Sequence, residues 1–117
     1  MEKEAYLVPE NTAQLVMEAK QTGGRIVAVG TTVVRTLESA WNGREVVPGA
    51  GETGLFIYPG FRFSVVDALL TNFHLPRSTL LMLVCALGGT ESVKKAYREA
   101  VKEKYRFYSY GDAMFIE

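Results

Sequence analysis

Apolar and polar positions along the chain mark out most of its elements. Near the middle, two apolar runs flank a polar loop: Leu69-Leu70 on one side and Leu80 to Leu87 on the other. The second run is apolar all round, which predicts a helix buried on every side. Pro76 suits the entry to that helix, where a first-turn N–H has no intrahelical partner to lose. Ser78 or Thr79 can accept from the free N–H groups of the first turn. The loop Thr71 to Pro76, carrying Asn72 and His74, is therefore pinned at the N-terminal end of a core helix. Free N–H donors and partial positive charge there suit a carboxylate or phosphate. Arg77 adds a full positive charge where the dipole disfavours one, which points to an anion nearby. The plainer reading is that Asn72 and His74 only tie the loop down.

The same reading extends along the chain. Ala5 to Val8 reads as a short strand ended by Pro9. Asn11 with Gln14 makes a weak capping box. Leu15, Val16 and Ala19 form the stripe of a helix that stops at Gly23-Gly24. Ile26 to Val29 is a continuous apolar run, the mark of a central strand buried on both faces. It leads through Gly30-Thr31-Thr32 into a second helix. Val33, Leu37, Ala40 and Trp41 form its apolar stripe, and Arg35, Glu38 and Asn42 its polar one. A strand, a Gly and a Thr-opened helix form the junction where α/β proteins bind ligands. Thr31 or Thr32 can cap the helix or touch a ligand. The motif is neither a dinucleotide fingerprint nor a P-loop, and an ordinary capped turn fits it too. Arg35 in the first turn opposes the dipole unless Glu38 or a bound anion compensates it.

Val46 to Gly54 reads as a loop of the kind that covers sites. Leu55 to Tyr58 and Phe61 to Val66 read as strands joined by a type II turn at Pro59-Gly60. Gly88-Gly89 ends the buried helix, and Thr90 caps the next. Its stripe is Val93, Ala96, Tyr97, Ala100 and Val101. Lys95, Arg98 and Lys102 form a cationic stripe, partly neutralised by Glu99 and Glu103. Arg106 to Tyr110 and Ala113 to Ile116 read as two strands around Gly111-Asp112. Asp112 is either a turn residue or a carboxylate at the edge of a site. The fold class is thus α/β, a mixed sheet flanked by helices in one compact domain, residues 1–117.

Composition narrows the function. Apolar residues make up 48% of the 117 and charged residues 22%, as in an ordinary globular domain. The formal net charge is zero, so no global basic excess argues for nucleic acid. A single Cys85 excludes an intrachain disulfide, and one His with one Cys argues against a metal site. No stretch reads as a signal peptide or a membrane span, so the cytosol is the default.

Three stretches then carry a resemblance. Gly23 to Ser39 (GGRIVAVGTTVVRTLES), Gly54 to Val84 (GLFIYPGFRFSVVDALLTNFHLPRSTLLMLV) and Tyr105 to Ile116 (YRFYSYGDAMFI) closely resemble the S-adenosylmethionine:tRNA ribosyltransferase-isomerase family of queuosine biosynthesis. The resemblance covers nearly the whole chain but only the C-terminal portion of a larger two-domain enzyme. The family's N-terminal part, with its β-barrel region, has no counterpart here. The start departs from the family pattern, with Glu2 where a His is usual and Ala5 where a Tyr is usual.

The resemblance implies transfer of the ribosyl group of S-adenosylmethionine to 7-aminomethyl-7-deazaguanine at the tRNA wobble position. Isomerisation gives epoxyqueuosine, and adenine and methionine leave. S-adenosylmethionine is consumed as a cosubstrate and no metal is implied. The partners are tRNA and S-adenosylmethionine, with no membrane, and the full enzyme is expected to be a monomer in the cytoplasm. The isolated chain is expected to be inactive, or to act only as a binding module for S-adenosylmethionine or tRNA. His74 and Asp112 are the candidates for the acid–base work beside the sulfonium and at adenine. Gly30, Thr31, Thr32, Arg35, Glu38, Thr71, Asn72, Arg77 and Ser78 are the candidate substrate-binding residues. Tyr58 and Tyr110 join them as aromatics suited to the sulfonium and the purine.

Overall fold

Strand β1 (Glu4–Val8) leads into helix α1 (Glu10–Gln21), and strand β2 (Val27–Val29) into helix α2 (Thr31–Ala40). Strands β3 (Gly49–Thr53) and β4 (Ala68–Asn72) follow, then helices α3 (Thr79–Gly88) and α4 (Thr90–Lys102) and strand β5 (Ala113–Ile116). This computed structural model describes residues 3–74, 78–105 and 112–117. The α/β class and the mixed sheet agree with the sequence. β2 and β4 run parallel, β4 and β5 antiparallel, and β1 and β3 form a separate antiparallel pair. The strand proposed over Arg106 to Tyr110 falls outside the described residues.

The central strand of the three is β4, not β2. Register explains why the apolar run misleads. Ala28, Leu69 and Ile116 stand side by side across the sheet and face the core, with exposures of 1%, 0% and 6%. Val29, Leu70 and Phe115 form the neighbouring row on the other face, exposed by 65%, 39% and 50%. The strand Ile26 to Val29 is apolar on both faces but buried on only one.

Of the expected apolar stripe of α2, Leu37 and Ala40 are buried and Trp41 packs against the core, but Val33 faces out. The helix's buried positions are Thr31, Val34, Arg35, Leu37, Glu38 and Ala40, while Val33 is 40% exposed. Of the supposed polar stripe, Arg35 and Glu38 face inward because the backbone beside them needs partners, while Asn42 lies past the helix and is exposed. No strand forms over residues 54–67, so that segment has no ladder to satisfy its N–H and C=O groups. Side chains supply them instead. The Glu38 carboxylate accepts from the N–H groups of Ser64, Val65 and Val66 at 2.8, 2.9 and 2.8 Å. Arg35 donates to the carbonyls of Leu55 at 3.1 Å and Thr53 at 3.5 Å, and pairs with Glu4. Lys20 reaches the Ser64 carbonyl, and Asp67 accepts from the Ile26 N–H. Of the expected hairpin only the turn is present, with Phe61 N–H donating to the Tyr58 carbonyl and Gly60 at φ +104°.

The segment expected as a covering loop contains β3 instead. Its Gly51 pairs with Tyr6 of β1, and the Tyr6 ring lies where a Cβ would sit, 2.6 Å from the hydroxyl oxygen. A glycine that weakens a strand by itself here makes room for a cross-strand aromatic.

α3 is less enclosed than its apolar sequence predicts. Leu83, Val84 and Cys85 are buried, but Met82 is 37% exposed. Ser78 caps it as expected, accepting from the Leu81 N–H at 3.1 Å. The other caps differ. α1 begins after Pro9, and α2 and α4 begin after Gly30 and Gly89, none with a side-chain cap, so Asn11, Thr31, Thr32 and Thr90 sit inside their helices. In α4, Val93, Tyr97 and Ala100 are buried, whereas Ala96 and Val101 face out.

Candidate functional site

Parallel strands place their carboxyl ends side by side, and the loops that leave them form a crevice. β2 and β4 do this here. Val29-Gly30-Thr31-Thr32 leaves one strand and Leu70-Thr71-Asn72 ends the other. The Gly30 N–H donates to the Leu70 carbonyl at 2.9 Å and holds the two exits together. Between them lies an open cleft of about 360 Å³, which His74 and Ala113 also line. Gly30 sits at φ +94°, a conformation that side chains disfavour, so the glycine is needed at this turn. The first N–H groups of α2 open beside the cleft with no side chain capping them.

His74 is held at both ends. Its Nε2 lies 3.0 Å from the Thr71 hydroxyl, and its main-chain N–H donates to the Tyr97 hydroxyl at 2.8 Å. Tyr97 packs edge-on against Phe73, with ring centroids 5.3 Å apart. Partial burial lowers the pKa of His74 from its usual 6.5, so the ring is predominantly neutral at pH 7. Burial raises the Tyr97 pKa, and the His74 N–H works against that rise. A neutral imidazole beside hydroxyl and amide groups can accept or deliver a proton.

The sequence candidates divide on this geometry. Gly30, Thr31, Thr32, Thr71, Asn72 and His74 meet in the cleft. Asp112 immediately precedes Ala113, which lines the same cleft and pairs with Asn72. Arg77 and Tyr110 lie outside the described residues. Arg35 and Glu38 are elsewhere: both are spent inside the domain on the 53–66 backbone, at 2% and 8% exposure. Tyr58 stacks on Phe56 in that same segment, and Ser78 lines a different hollow.

That second hollow lies between α3 and α4 and measures about 530 Å³. Leu81, Met82, Cys85 and Val93 give it apolar walls, with Lys94 and Arg98 beside them. It is larger than the cleft and carries the hydroxyl-bearing residues Ser78, Thr90 and Tyr97, but among the described residues no side-chain amide or imidazole lines it. The residue that sequence reasoning missed is Tyr97, which reads there as one member of an apolar stripe. The available signal was its hydroxyl, since a buried tyrosine must find that group a partner.

The model of the queuosine biosynthesis protein family matches residues 1–116. The chain belongs to this family. An S-adenosylmethionine:tRNA ribosyltransferase-isomerase from Anaeromyxobacter sp. (strain Fw109-5) is 60% identical over 116 residues, covering 99% of this chain and 34% of the relative. The protein of the same name from Natranaerobius thermophilus is 58% identical, covering 100% of this chain and 34% of the relative. The crystal structure of S-adenosylmethionine tRNA ribosyltransferase from Thermotoga maritima superposes with a TM-score of 0.91 at 58% identity. That match covers 97% of this chain and 40% of the solved one. The chain therefore spans about a third of the length of the curated family members it matches. Among the described residues, no helix is long and apolar enough to cross a membrane.

Proposed function

We propose that this chain is the C-terminal α/β portion of an S-adenosylmethionine:tRNA ribosyltransferase-isomerase of the cytoplasm. Its cleft would hold part of S-adenosylmethionine while the ribosyl group passes to 7-aminomethyl-7-deazaguanine at the tRNA wobble position. The products are epoxyqueuosine in the tRNA, with adenine and methionine released. The observation that carries this reading is the meeting of Gly30–Thr32 with Thr71–His74 at the ends of two parallel strands, in a chain of this family. The cosubstrate's carboxylate suits the uncapped start of α2 with Thr31, Thr32 and Asn72 around it. His74 has the chemistry to move the proton beside the sulfonium or the one that adenine needs on leaving, and Asp112 is the second candidate. Arg77, Tyr110, Tyr58 and Ser78 remain proposed contacts through the resemblance. Arg35 and Glu38 take the part of braces rather than ligands. The complete enzyme is proposed to act as a monomer.

Alone, the chain should bind without turning over. A cleft of about 360 Å³ lies near the small end of ligand sites, and this one is open. Among the described residues it has room for one small molecule and no walls to keep water from a sulfonium. The cationic residues Lys94, Lys95, Arg98 and Lys102 are offset by an equal total of acidic and basic side chains over the chain. Few phosphate contacts mean weak, salt-sensitive tRNA affinity. Two assays test this. Titration calorimetry with S-adenosylmethionine should register binding that His74→Ala weakens. Incubation with S-adenosylmethionine and tRNA carrying the modified base should release no adenine. Adenine release at the rate of a full-length relative would overturn the inactive-portion reading, and absence of any binding heat would remove the cleft assignment.

A further inference from the structure

Two hydrogen bonds hold His74 beside the cleft, one at its ring and one at its main chain. The Thr71 hydroxyl occupies Nε2 at 3.0 Å. The Tyr97 hydroxyl holds the main-chain N–H at 2.8 Å from the far side, out of α4. The Phe73 ring, next in the chain, packs on Tyr97 and is 3% exposed, so the anchor is fixed by the core. Thr71 and Tyr97 are themselves 5% and 9% exposed. Among the described residues, Nδ1 of His74 makes no hydrogen bond.

We propose that Tyr97 is a positioning residue for His74. Its hydroxyl anchors the histidine main chain while Thr71 takes the Nε2 proton, leaving the Nδ1 lone pair as the basic site presented to a substrate in the cleft. This rests on the cleft being the substrate site. The geometry favours it on two grounds. The hydroxyl of a buried tyrosine must be paired, and here it is spent on the His74 main chain, whose N–H would lose this acceptor if a phenylalanine filled the same place in the α4 stripe. A histidine gripped at Nε2 and at its own backbone has one remaining ring nitrogen for chemistry, and Nδ1 is the basic one when the Thr71 hydroxyl accepts from Nε2–H.

His74 is the only histidine, so its imidazole signals need no assignment. The test is long-range ¹H–¹⁵N correlation on the labelled 117-residue chain at about pH 8, where the ring is neutral. The expected signature is one protonated nitrogen, Nε2, and one unprotonated nitrogen, Nδ1. Thr71→Val should move both toward the average of free imidazole, and Thr71→Ser should restore the signature. Tyr97→Phe, which keeps the ring against Phe73, should also move them toward that average. Tyr105→Phe, altering another ring beside Phe73, should leave them alone. A Tyr97→Phe variant that folds and keeps the unmutated signature overturns the anchor. Should that variant not fold, hydrogen exchange of the His74 amide in the unmutated chain decides: protection supports the anchor, and exchange at the rate of an open chain overturns it. Adding S-adenosylmethionine to the same sample reads the other premise separately. A shift at Nδ1 supports its presentation to the substrate, and no response removes that role while the anchor result stands on its own.

Discussion

Replacing Glu38 should cost more stability than replacing any exposed charge. Its carboxylate takes three main-chain N–H groups, with Oε1 accepting from Ser64 and Oε2 from both Val65 and Val66. Val65 and Val66 are 1% and 3% exposed, so water cannot replace the lost acceptor without opening the segment. Ser64 is less buried and can be rehydrated. Glu38→Ala therefore orphans two buried donors at about 1–3 kcal/mol each, about 2–6 kcal/mol together, and weakens a third. Against about 5–15 kcal/mol for a whole domain, that is a large share. Glu38→Gln keeps one oxygen, which can serve Val65 and Val66 while its NH₂ faces the Ser64 N–H. It should lose only about 1–2 kcal/mol. Urea unfolding followed by circular dichroism and by the fluorescence of the single Trp41 measures both, provided the slope with urea is unchanged. An alanine variant within about 1 kcal/mol of the unmutated chain would refute the brace, as would equal losses for the two variants.

Arg35→Ala should lower stability by about 2–4 kcal/mol, because it strips two carbonyls and Glu4 of a buried donor. Glu4→Gln should cost about 1 kcal/mol or less, since that carboxylate is half exposed, and urea melts of the pair give the comparison. Gly88→Ala should cost about 1–3 kcal/mol by thermal unfolding, because a Cβ there would stand 2.7 Å from Ile116 Cγ2 and 3.0 Å from Val93 Cγ2. Stability should rise with pH up to 6.5, the usual His value, and then level off, because His74 has a lowered pKa and the unfolded chain binds more protons in that window. His74→Gln should flatten this rise in melts taken between about pH 5 and pH 7.

What the sequence made legible was local. The Ser78 cap, the turn at Pro59-Gly60, the strand–Gly–helix junction at Gly30 and the positions of the helices all depend on residues within a few places of one another. Their physics is already present in a short stretch. Strand β3 was hidden because Gly49 to Thr53 has no apolar alternation and only Thr53 as a β-branched residue. What makes it a strand is Tyr6, more than forty residues away, lying over Gly51. The hairpin over residues 55–66 fails for the converse reason. Its aromatics fit a strand, but its backbone groups are taken by Glu38, Arg35 and Lys20 from two helices. Six of the candidate site residues meet in the cleft because each sits at an element end, where local signals are strongest. Arg35 and Glu38 were read as facing a ligand because a charge in a helix normally means solvent or a partner ion. Here the partners include peptide groups and, for Arg35, the carboxylate of Glu4, 31 residues away, and neither leaves a local mark in the sequence.

The apolar row Val29, Leu70 and Phe115 completes the argument about the sheet. Parallel strands are ordinarily covered on both faces, and their sequences read as continuous apolar runs for that reason. Ile26 to Val29 is such a run, yet only the Ala28–Leu69–Ile116 face is covered by the described residues. The second face is not polar; its sequence is that of a buried face in a chain spanning about a third of its relatives' length. Val29 and Leu70 also line the cleft, so whatever occupies the cleft from outside meets this row as well. An apolar row next to a polar cleft gives the isolated chain a measurable property. It should bind a hydrophobic dye such as ANS while fully folded, and Val29→Thr with Phe115→Thr should reduce that binding without loss of secondary structure. Equal dye binding by the unmutated and the doubly substituted chain would show that the row is not the exposed surface responsible.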